Sequence, residues 1–268
     1  MEEADRKRQG PSSPLAPYLD ELARRSERLL GGRLVGVYVG GSFALGDYKP
    51  GSSDIDVAVV VDGELAVESK NAVIAALRHE ALPCPARGLE LVVYSRAAAA
   101  AKTEDARFEL NLNSGAAMPF RVELEPDPAE AHWLVLDRAI LRAHGVALLG
   151  PPAAAIFGPI PRKRLLSVTA QSLRWHELGK ARTEDAVLNA CRALRLAREG
   201  AWSSKSAAGR WAIGQVADTA LITQALAARS GHKPPNLKRA ASFVAAVRAE
   251  LEAASKSSVS VDRVAQRP

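Results

Sequence analysis

The sequence predicts an α+β fold, in which an N-terminal domain with a mixed sheet and helices is followed by an α-helical bundle domain. In the first half of the chain, apolar β-branched stretches alternate with amphipathic ones, as in a sheet with connecting helices. The second half contains only segments with apolar residues at helical spacing. A cluster of prolines predicts a boundary between the halves, at Pro151, Pro152, Pro159 and Pro161. We therefore expect the first domain at 15–157 and the helical domain at 158–254.

The elements of the N-terminal domain follow from their patterns in order. Leucines with charges between them predict a helix over 17–30, which Gly31 and Gly32 end. Apolar runs bounded by glycine or polar residues predict three strands, at 34–39, 54–61 and 88–94. Between the second and third strands we predict a helix at 71–80. A long helix over 128–144 and a short strand over 146–149 complete this domain.

Four further helices are predicted in the second domain, at 165–178, 183–198, 207–229 and 237–254. Gly200 and Gly231 lie just beyond the second and third of them, as is typical of helix ends. A charged, Pro/Ser-rich leader at 1–14 and a Ser-rich tail at 255–268 are expected to be disordered or mobile, because chain ends of this composition have few apolar groups to pack.

Composition indicates an ordinary globular protein, with 47% hydrophobic and 25% charged residues among 268. The cysteines, Cys84 and Cys191, have no metal-ligand spacing and fit a reducing compartment. Because no secretory pattern or membrane-length apolar run is present, we expect a cytoplasmic protein that does not associate with membranes. We also expect it to be a monomer. The net charge of +6 suits a phosphate-bearing ligand. Aromatic residues make up only 5% and no dense basic block accompanies them, which argues against nucleic acid as a partner.

A glycine turn after the first strand is the first candidate for chemistry. Gly40 and Gly41 allow the backbone to approach a ligand closely, because glycine has no Cβ. Ser42 is expected to cap the next short helix, whose N–H groups suit a phosphate.

Two carboxylates follow at the start of the second strand. Asp54 and Asp56 are two positions apart, so their side chains are predicted on one face of the strand. Adjacent carboxylates repel unless a cation lies between them, and Mg²⁺ shared with substrate phosphates is the expected cation. Glu90, the one acid in the third strand, joins them if the two strands pair.

Together these residues resemble the nucleotidyltransferase superfamily of DNA polymerase β, whose motif is Gly-Ser, a short helix, Asp-x-Asp on the next strand and a third acid on a later strand. Further segments are similar to the aminoglycoside adenylyltransferases that modify streptomycin and spectinomycin. They are His-Gly-Val-Ala-Leu-Leu-Gly-Pro at 144–151, Val-Leu-Asn-Ala-Cys-Arg at 187–192 and Ser-Lys-Ser-Ala-Ala-Gly-Arg-Trp-Ala at 204–212. The resemblance covers roughly residues 20–230.

The resemblance implies an enzyme that moves AMP from ATP to a hydroxyl of a small molecule, with Mg²⁺ as cofactor and aminoglycoside or aminocyclitol antibiotics as the best-known acceptors. Asp54 and Asp56 would bind Mg²⁺. Glu90 would act as the general base on the acceptor hydroxyl and would also face a metal. The remaining implied contacts are with ATP phosphates, through Gly41, Ser42 and Ser53 in the first domain and Arg192 and Lys205 in the second.

Two positions depart from the family's acceptor site. Where the family has a tryptophan and an aspartate, this chain has Gly115 and Arg182, although Glu184 and Asp185 lie close to the second position. Glu109, Glu123 and Glu125 could build an acidic acceptor pocket, but each is interpreted as a surface charge. The acceptor therefore stays open, and a natural-product intermediate, a protein or an RNA is an alternative. So is a non-catalytic nucleotide-binding module, although a pure binder gains little from three clustered acids.

Overall fold

The computed structural model describes residues 14–177, 179 and 181–257. The predicted leader up to residue 13 and the predicted tail beyond 257 lie outside these residues. The chain divides into two compact units. Of the described residues, the first unit contains those in 14–101, 105–131 and 137–159, and the second contains those in 160–257 together with 102–104 and 132–136.

A six-stranded mixed sheet forms the first unit. Its strands are β1 (Leu34–Val39), β2 (Ile55–Val61), β3 (Leu89–Ser95), β4 (Leu110–Gly115), β5 (Met118–Glu123) and β6 (Val146–Leu149). They lie in the order β5-β4-β3-β2-β1-β6. Strands β2 and β3 are parallel, and the other neighbouring pairs are antiparallel. The mixed sheet and the helices that accompany it confirm the predicted fold class.

Helices precede, connect and follow these strands. They are α1 (Leu15–Leu30), α2 (Gly41–Ala44), α3 (Val67–Leu77), α4 (Arg96–Ala100), α5 (Ala131–His144) and α6 (Ala153–Ile156). A short 3-10 turn, Gly31–Arg33, joins α1 to β1. Part of α5, 132–136, belongs to the second unit.

Alternation along β2 and β3 gives the sheet two different faces. One face joins the main core of the unit through Ile55, Val57, Val59 and Val61 of β2 and Leu89, Leu91 and Val93 of β3. Leu19 and Leu22 of α1 belong to the same core. Because successive side chains of a strand point to opposite faces, Asp56 and Glu90 lie on the other face. The core therefore fixes the strands that carry these acids without covering them.

Within the described residues, the second unit contains part of α5 and five further helices: α7 (Arg162–Glu177), α8 (Thr183–Glu199), α9 (Lys205–Ile213), α10 (Thr219–Ala228) and α11 (Leu237–Ser257). Helix α8 contributes to two apolar clusters. Leu194 packs in one with Leu173 of α7 and Leu251 of α11, and Leu188 packs in the other with Leu221 of α10. No helix within the described residues is long and apolar enough to cross a membrane.

Several predicted element bounds are wrong. The apolar patterns predict no strand between 95 and 127, yet β4 and β5 form a hairpin there. The predicted helix over 207–229 is two helices, because Asp218 caps the second one by accepting a hydrogen bond from Leu221 N at 3.1 Å. Helix α3 spans Val67–Leu77 rather than 71–80. Asp54 precedes β2 instead of beginning it.

Candidate active site

The glycine turn after β1 lies directly against Asp56. Gly40 N donates a hydrogen bond to Asp56 O at 2.9 Å, which joins the end of β1 to the start of β2. Gly41 has a φ of +51°, a conformation that favours glycine. A Cβ added at this position would overlap the Asp56 carboxylate. The turn therefore requires glycine for both its conformation and its closeness to the acid.

Ser42 lies inside the short helix α2 and does not cap it. The helix begins at Gly41 with Gly40 as its N-cap, so the expectation that Ser42 is the cap is wrong. Its Oγ atom is buried and has no hydrogen-bond partner in the part of the chain that the structure describes. A buried hydroxyl without a partner costs free energy, so this atom is suited to a ligand that approaches the turn.

The loop before β2 is held by Ser53. Its Oγ accepts a hydrogen bond from Lys49 N at 3.0 Å, and its carbonyl oxygen accepts one from Arg87 N at 3.0 Å. These bonds link the loop that carries Asp54 to the segment before β3. Ser53 therefore lies beside the acids, as the motif predicts, but its side chain has a structural hydrogen bond.

Strand pairing brings two of the three predicted acids together. Asp56 and Glu90 are register partners on the parallel strands β2 and β3, and Glu90 is opposite Asn113 on β4. Asp54 is oriented differently, because its Oδ2 accepts a hydrogen bond from Arg87 Nη2 at 2.6 Å. The side chains of Asp54 and Arg87 are both partly exposed, so this ion pair is open to exchange with another cation.

The oxygen donors fit Mg²⁺ together with a phosphate-bearing substrate. Within residues 14–177, 179 and 181–257, no three His, Cys, Asp or Glu side chains form a group able to hold a metal ion by themselves. Mg²⁺ is usually bound by one or two carboxylates and by substrate phosphates rather than by a cage of protein ligands. The neighbouring Asp56 and Glu90 carboxylates, next to a glycine turn, are such a set.

Electrostatics at Glu90 favour an incoming cation. Burial raises the pKa of Glu90 well above its usual range, and the carboxylates of Asp56, Asp54 and Asp137 raise it further. Arg87 acts in the opposite direction. Since like charges close together disfavour ionisation, a cation bound between the acids would lower the pKa and restore the carboxylate.

A small pocket of about 50 Å³ opens beside these acids, lined in part by Gly41, Asp56, Glu90, Tyr94 and Asp137. The sequence motifs do not include Tyr94 and Asp137. Tyr94 follows Glu90 by four positions on β3, so strand alternation places both on one face. Asp137 lies on α5, and only the packing of that helix brings it to the pocket. In the sequence, Asp137 is marked only by its position four residues before Leu141, which is one helical turn away and also lines the pocket.

The predicted phosphate-binding arginine of the second unit is held by a hydrogen-bonded chain. Arg192 Nε donates to Ser203 O at 3.0 Å, and Nη1 donates to Asn189 Oδ1 at 3.1 Å. Asn189 Nδ2 lies 3.1 Å from His176 Nε2, so the amide of Asn189 connects the histidine to the arginine. Burial, with the nearby charge of Lys205, lowers the pKa of His176 to about 4. The imidazole is therefore neutral at pH 7 and accepts the amide hydrogen bond.

Lys205 is oriented by an ion pair at the start of α9. Its Nζ lies 2.7 Å from Asp185 Oδ1, and both side chains are mostly buried. Arg182, by contrast, is exposed and pairs with the buried Glu184. Both acids that the sequence offers near position 182 thus have cationic partners within the same unit.

Two family models match the chain. Residues 19–108 match the nucleotidyltransferase domain, and residues 155–254 match the C-terminal domain of aminoglycoside adenylyltransferases. The first match includes the glycine turn and all three acids, and the second includes Arg192 and Lys205. The chain is an aminoglycoside adenylyltransferase-like nucleotidyltransferase. It is therefore an enzyme, and the resemblance drawn from the motifs is confirmed.

A solved structure has the same fold. Spectinomycin adenyltransferase AAD(9) from Enterococcus faecialis, determined with ATP and spectinomycin, superposes with a TM-score of 0.67 at 16% sequence identity. The match covers 88% of this chain and 99% of that protein. No curated protein matches the chain significantly in sequence.

Proposed function

We propose that this enzyme transfers AMP from ATP to a hydroxyl group of an aminoglycoside or aminocyclitol, with Mg²⁺ as its cofactor. The observation that carries the proposal is the in-register pairing of Asp56 with Glu90 beside the Gly41 turn. These acids lie next to a turn in which the buried Ser42 hydroxyl has no partner among the described residues. The arrangement suits a metal-bound triphosphate better than a neutral ligand.

Asp56 and Glu90 would hold Mg²⁺, and Asp54 would join them after it leaves Arg87. The ion would supply positive charge that neutralises the phosphates. The Gly41 turn and the Ser42 hydroxyl would lie along the triphosphate. Arg192 and Lys205 of the second unit would add two cations for the outer phosphates, and their hydrogen-bond partners within that unit already restrict their orientations.

Glu90 is the proposed general base. The acceptor oxygen attacks the α-phosphorus of ATP in line, a new P–O bond forms, and the bond to the pyrophosphate oxygen breaks. The hydroxyl proton passes to Glu90, and pyrophosphate leaves. General bases of this kind contribute about 10²–10⁴-fold in rate.

The acceptor side differs from the family pattern for a structural reason. A Cβ at Gly115 would lie 2.6 Å from the carbonyl oxygen of Arg87, because the backbones of β4 and the Arg87–Gly88 segment approach closely. No larger side chain, and so no tryptophan, fits at this position without displacing the backbone. If the acceptor is cationic, residues other than those at positions 115 and 182 must recognise it.

Pyrophosphate release from ATP and Mg²⁺ across a panel of aminoglycosides and aminocyclitols, including spectinomycin, tests the proposal. We expect release with at least one acceptor. Asp56→Asn and Glu90→Gln should each lower kcat by about 100-fold or more, whereas Glu125→Gln, on an exposed side chain, should not change it. Mg²⁺-dependent ATP binding without release on any acceptor would contradict the proposed acceptor class. Full activity of Glu90→Gln would contradict its role as the base.

A further inference from the structure

The pocket beside the acids lies between one face of the sheet and helix α5. On β3, Glu90 and Tyr94 line it, and on β2, Asp56 does. All three are on the face opposite the main core. Helix α5 contributes Asp137 and Leu141, which are one helical turn apart. The reacting acids and Asp137 therefore share one enclosed space within the first unit.

Helix α5 is anchored at this position by the residue next to Asp137. Arg138 is only 1% exposed, and its guanidinium donates hydrogen bonds to the carbonyl oxygens of Ala98 and Asp105, the latter at 2.6 Å. A buried arginine that is held by backbone carbonyls cannot move without losing those bonds. The position of Asp137 on the pocket wall is accordingly fixed.

Tyr94 supplies an observation independent of the acids. It is 1% exposed, and its Oη has no hydrogen-bond partner within the described residues. Burial raises the pKa of Tyr94, and the carboxylate of Asp137 raises it further, so the hydroxyl stays neutral. A buried phenol on the wall of a pocket that also contains carboxylates is stabilised when a ligand completes its hydrogen bonding.

We propose that Asp137 and Tyr94 form an ammonium-binding subsite, which selects acceptors that carry a protonated amine close to the reacting hydroxyl. The ammonium donates one hydrogen bond to the Asp137 carboxylate and one to Tyr94 Oη. Leu141 and Val92, on the apolar part of the wall, contact the carbon frame of the acceptor. Since Glu90 lines the same pocket, the hydroxyl that it deprotonates lies near the amine.

The subsite replaces the contacts that positions 115 and 182 do not provide. Gly115 has no room for a side chain, and Arg182 carries the wrong charge for a cationic acceptor. Asp137, on helix α5, supplies the negative charge that position 182 lacks. The inference rests on the proposed function, because it assumes that the acceptor binds beside Glu90.

Two near-isosteric variants test the subsite with spectinomycin as the amine-bearing acceptor. We expect Asp137→Asn to raise the KM for spectinomycin about ten-fold or more, and Tyr94→Phe about five-fold, as charged and neutral hydrogen bonds are lost. The KM for ATP and the Mg²⁺ concentration for half-maximal activity should stay within two-fold. Tyr38→Phe is the matched control, because Tyr38 is also buried with an unpartnered hydroxyl among the described residues and also packs edge-on to Phe157.

The outcomes separate this inference from the proposed function. An unchanged KM for spectinomycin in Asp137→Asn, or a shifted Mg²⁺ dependence in that variant, would overturn the subsite while transfer itself stands. Activity confined to acceptors without an amine would also overturn it. If the folded wild-type enzyme releases no pyrophosphate with any acceptor, the proposed function fails and the subsite fails with it. Thermal unfolding of each variant shows whether a loss reflects unfolding instead.

Discussion

The Gly41→Ala substitution gives the sharpest test of how the turn supports the acids. An alanine at 41 has to adopt a φ of +51°, and its Cβ would overlap the Asp56 carboxylate. Gly31 provides a matched control. It has the same φ of +51°, and a Cβ there would have no neighbour within 4 Å among the described residues. The two variants therefore share the positive φ and differ in the contact with Asp56.

The expected magnitudes follow from that difference. A positive φ costs a residue with a Cβ about 1–3 kcal/mol, so both variants should lose unfolding free energy. At Gly41, even the more distant carboxylate oxygen of Asp56 would lie only 3.0 Å from the new Cβ, and the nearer one overlaps it. Ordinary contact requires about 3.5 Å, so the carboxylate has to move by more than about 1 Å. A displacement of this size at a reacting centre lowers kcat by about 100-fold.

Three assays measure the effect. Thermal unfolding should show a loss of stability in both Gly41→Ala and Gly31→Ala. Pyrophosphate release should fall about 100-fold in Gly41→Ala and stay within about three-fold of wild type in Gly31→Ala. Mg²⁺-dependent ATP binding, which needs no acceptor, should weaken only in Gly41→Ala. Equal activity of the two variants would refute the argument that the turn holds Asp56 in its productive position.

Three further predictions concern groups away from the turn. The folded pKa of His176, about 4, lies below its ordinary value of 6.5, so the unfolded chain takes up the proton first as pH falls. The unfolding free energy present above pH 6.5 should therefore decline by about 2 kcal/mol by pH 5. Denaturant titrations should show a smaller decline in His176→Gln than in the exposed control His232→Gln. Equal declines in the two variants would contradict this. Glu109→Ala should lower the unfolding free energy by about 3 kcal/mol, because it removes the partner of the mostly buried Lys70, whose Nζ lies 3.2 Å from the Glu109 carboxylate. The control Glu125→Ala, at an exposed position, should have little effect. Equal melting temperatures of the two variants would contradict the prediction. Asn189→Leu should raise the KM for ATP about five-fold with a smaller change in kcat, since it removes an acceptor from the proposed phosphate-binding arginine; an unchanged KM would count against this link.

The sequence predicts those parts of the fold whose signals are local. Strands β1 to β3 are apolar runs that end at glycine or polar residues, and the prediction finds each of them. The β4–β5 hairpin is missed because Asn111, Asn113 and Ser114 leave no continuous apolar run in the first strand, and Pro119 interrupts the second. Its pairing with β3 comes from the sheet rather than from its own composition.

For the acids too, some features follow from the local sequence and others depend on tertiary contacts. Glu90 is predicted because it is the one acid in an apolar strand, and parallel pairing places it beside Asp56. The orientation of Asp54 depends on Arg87, a residue distant in sequence, and cannot be predicted from the motif. The interpretation of Glu109 as a surface charge is wrong, because Lys70 and Leu65 N hold its carboxylate in a mostly buried position.

The nucleotide side and the acceptor side of the pocket are built from different kinds of element. Asp56 and Glu90 are carried by adjacent strands, so sheet pairing alone brings them together and a short motif is enough to find them. Asp137 is carried by a helix that packs across the sheet, and its role depends on where that helix is anchored. Substitutions on α5 can therefore change which acceptor is bound without disturbing the acids that bind Mg²⁺ and ATP. Asp137 variants should therefore alter acceptor choice, whereas Asp56→Asn should lower transfer to every acceptor by about 100-fold or more.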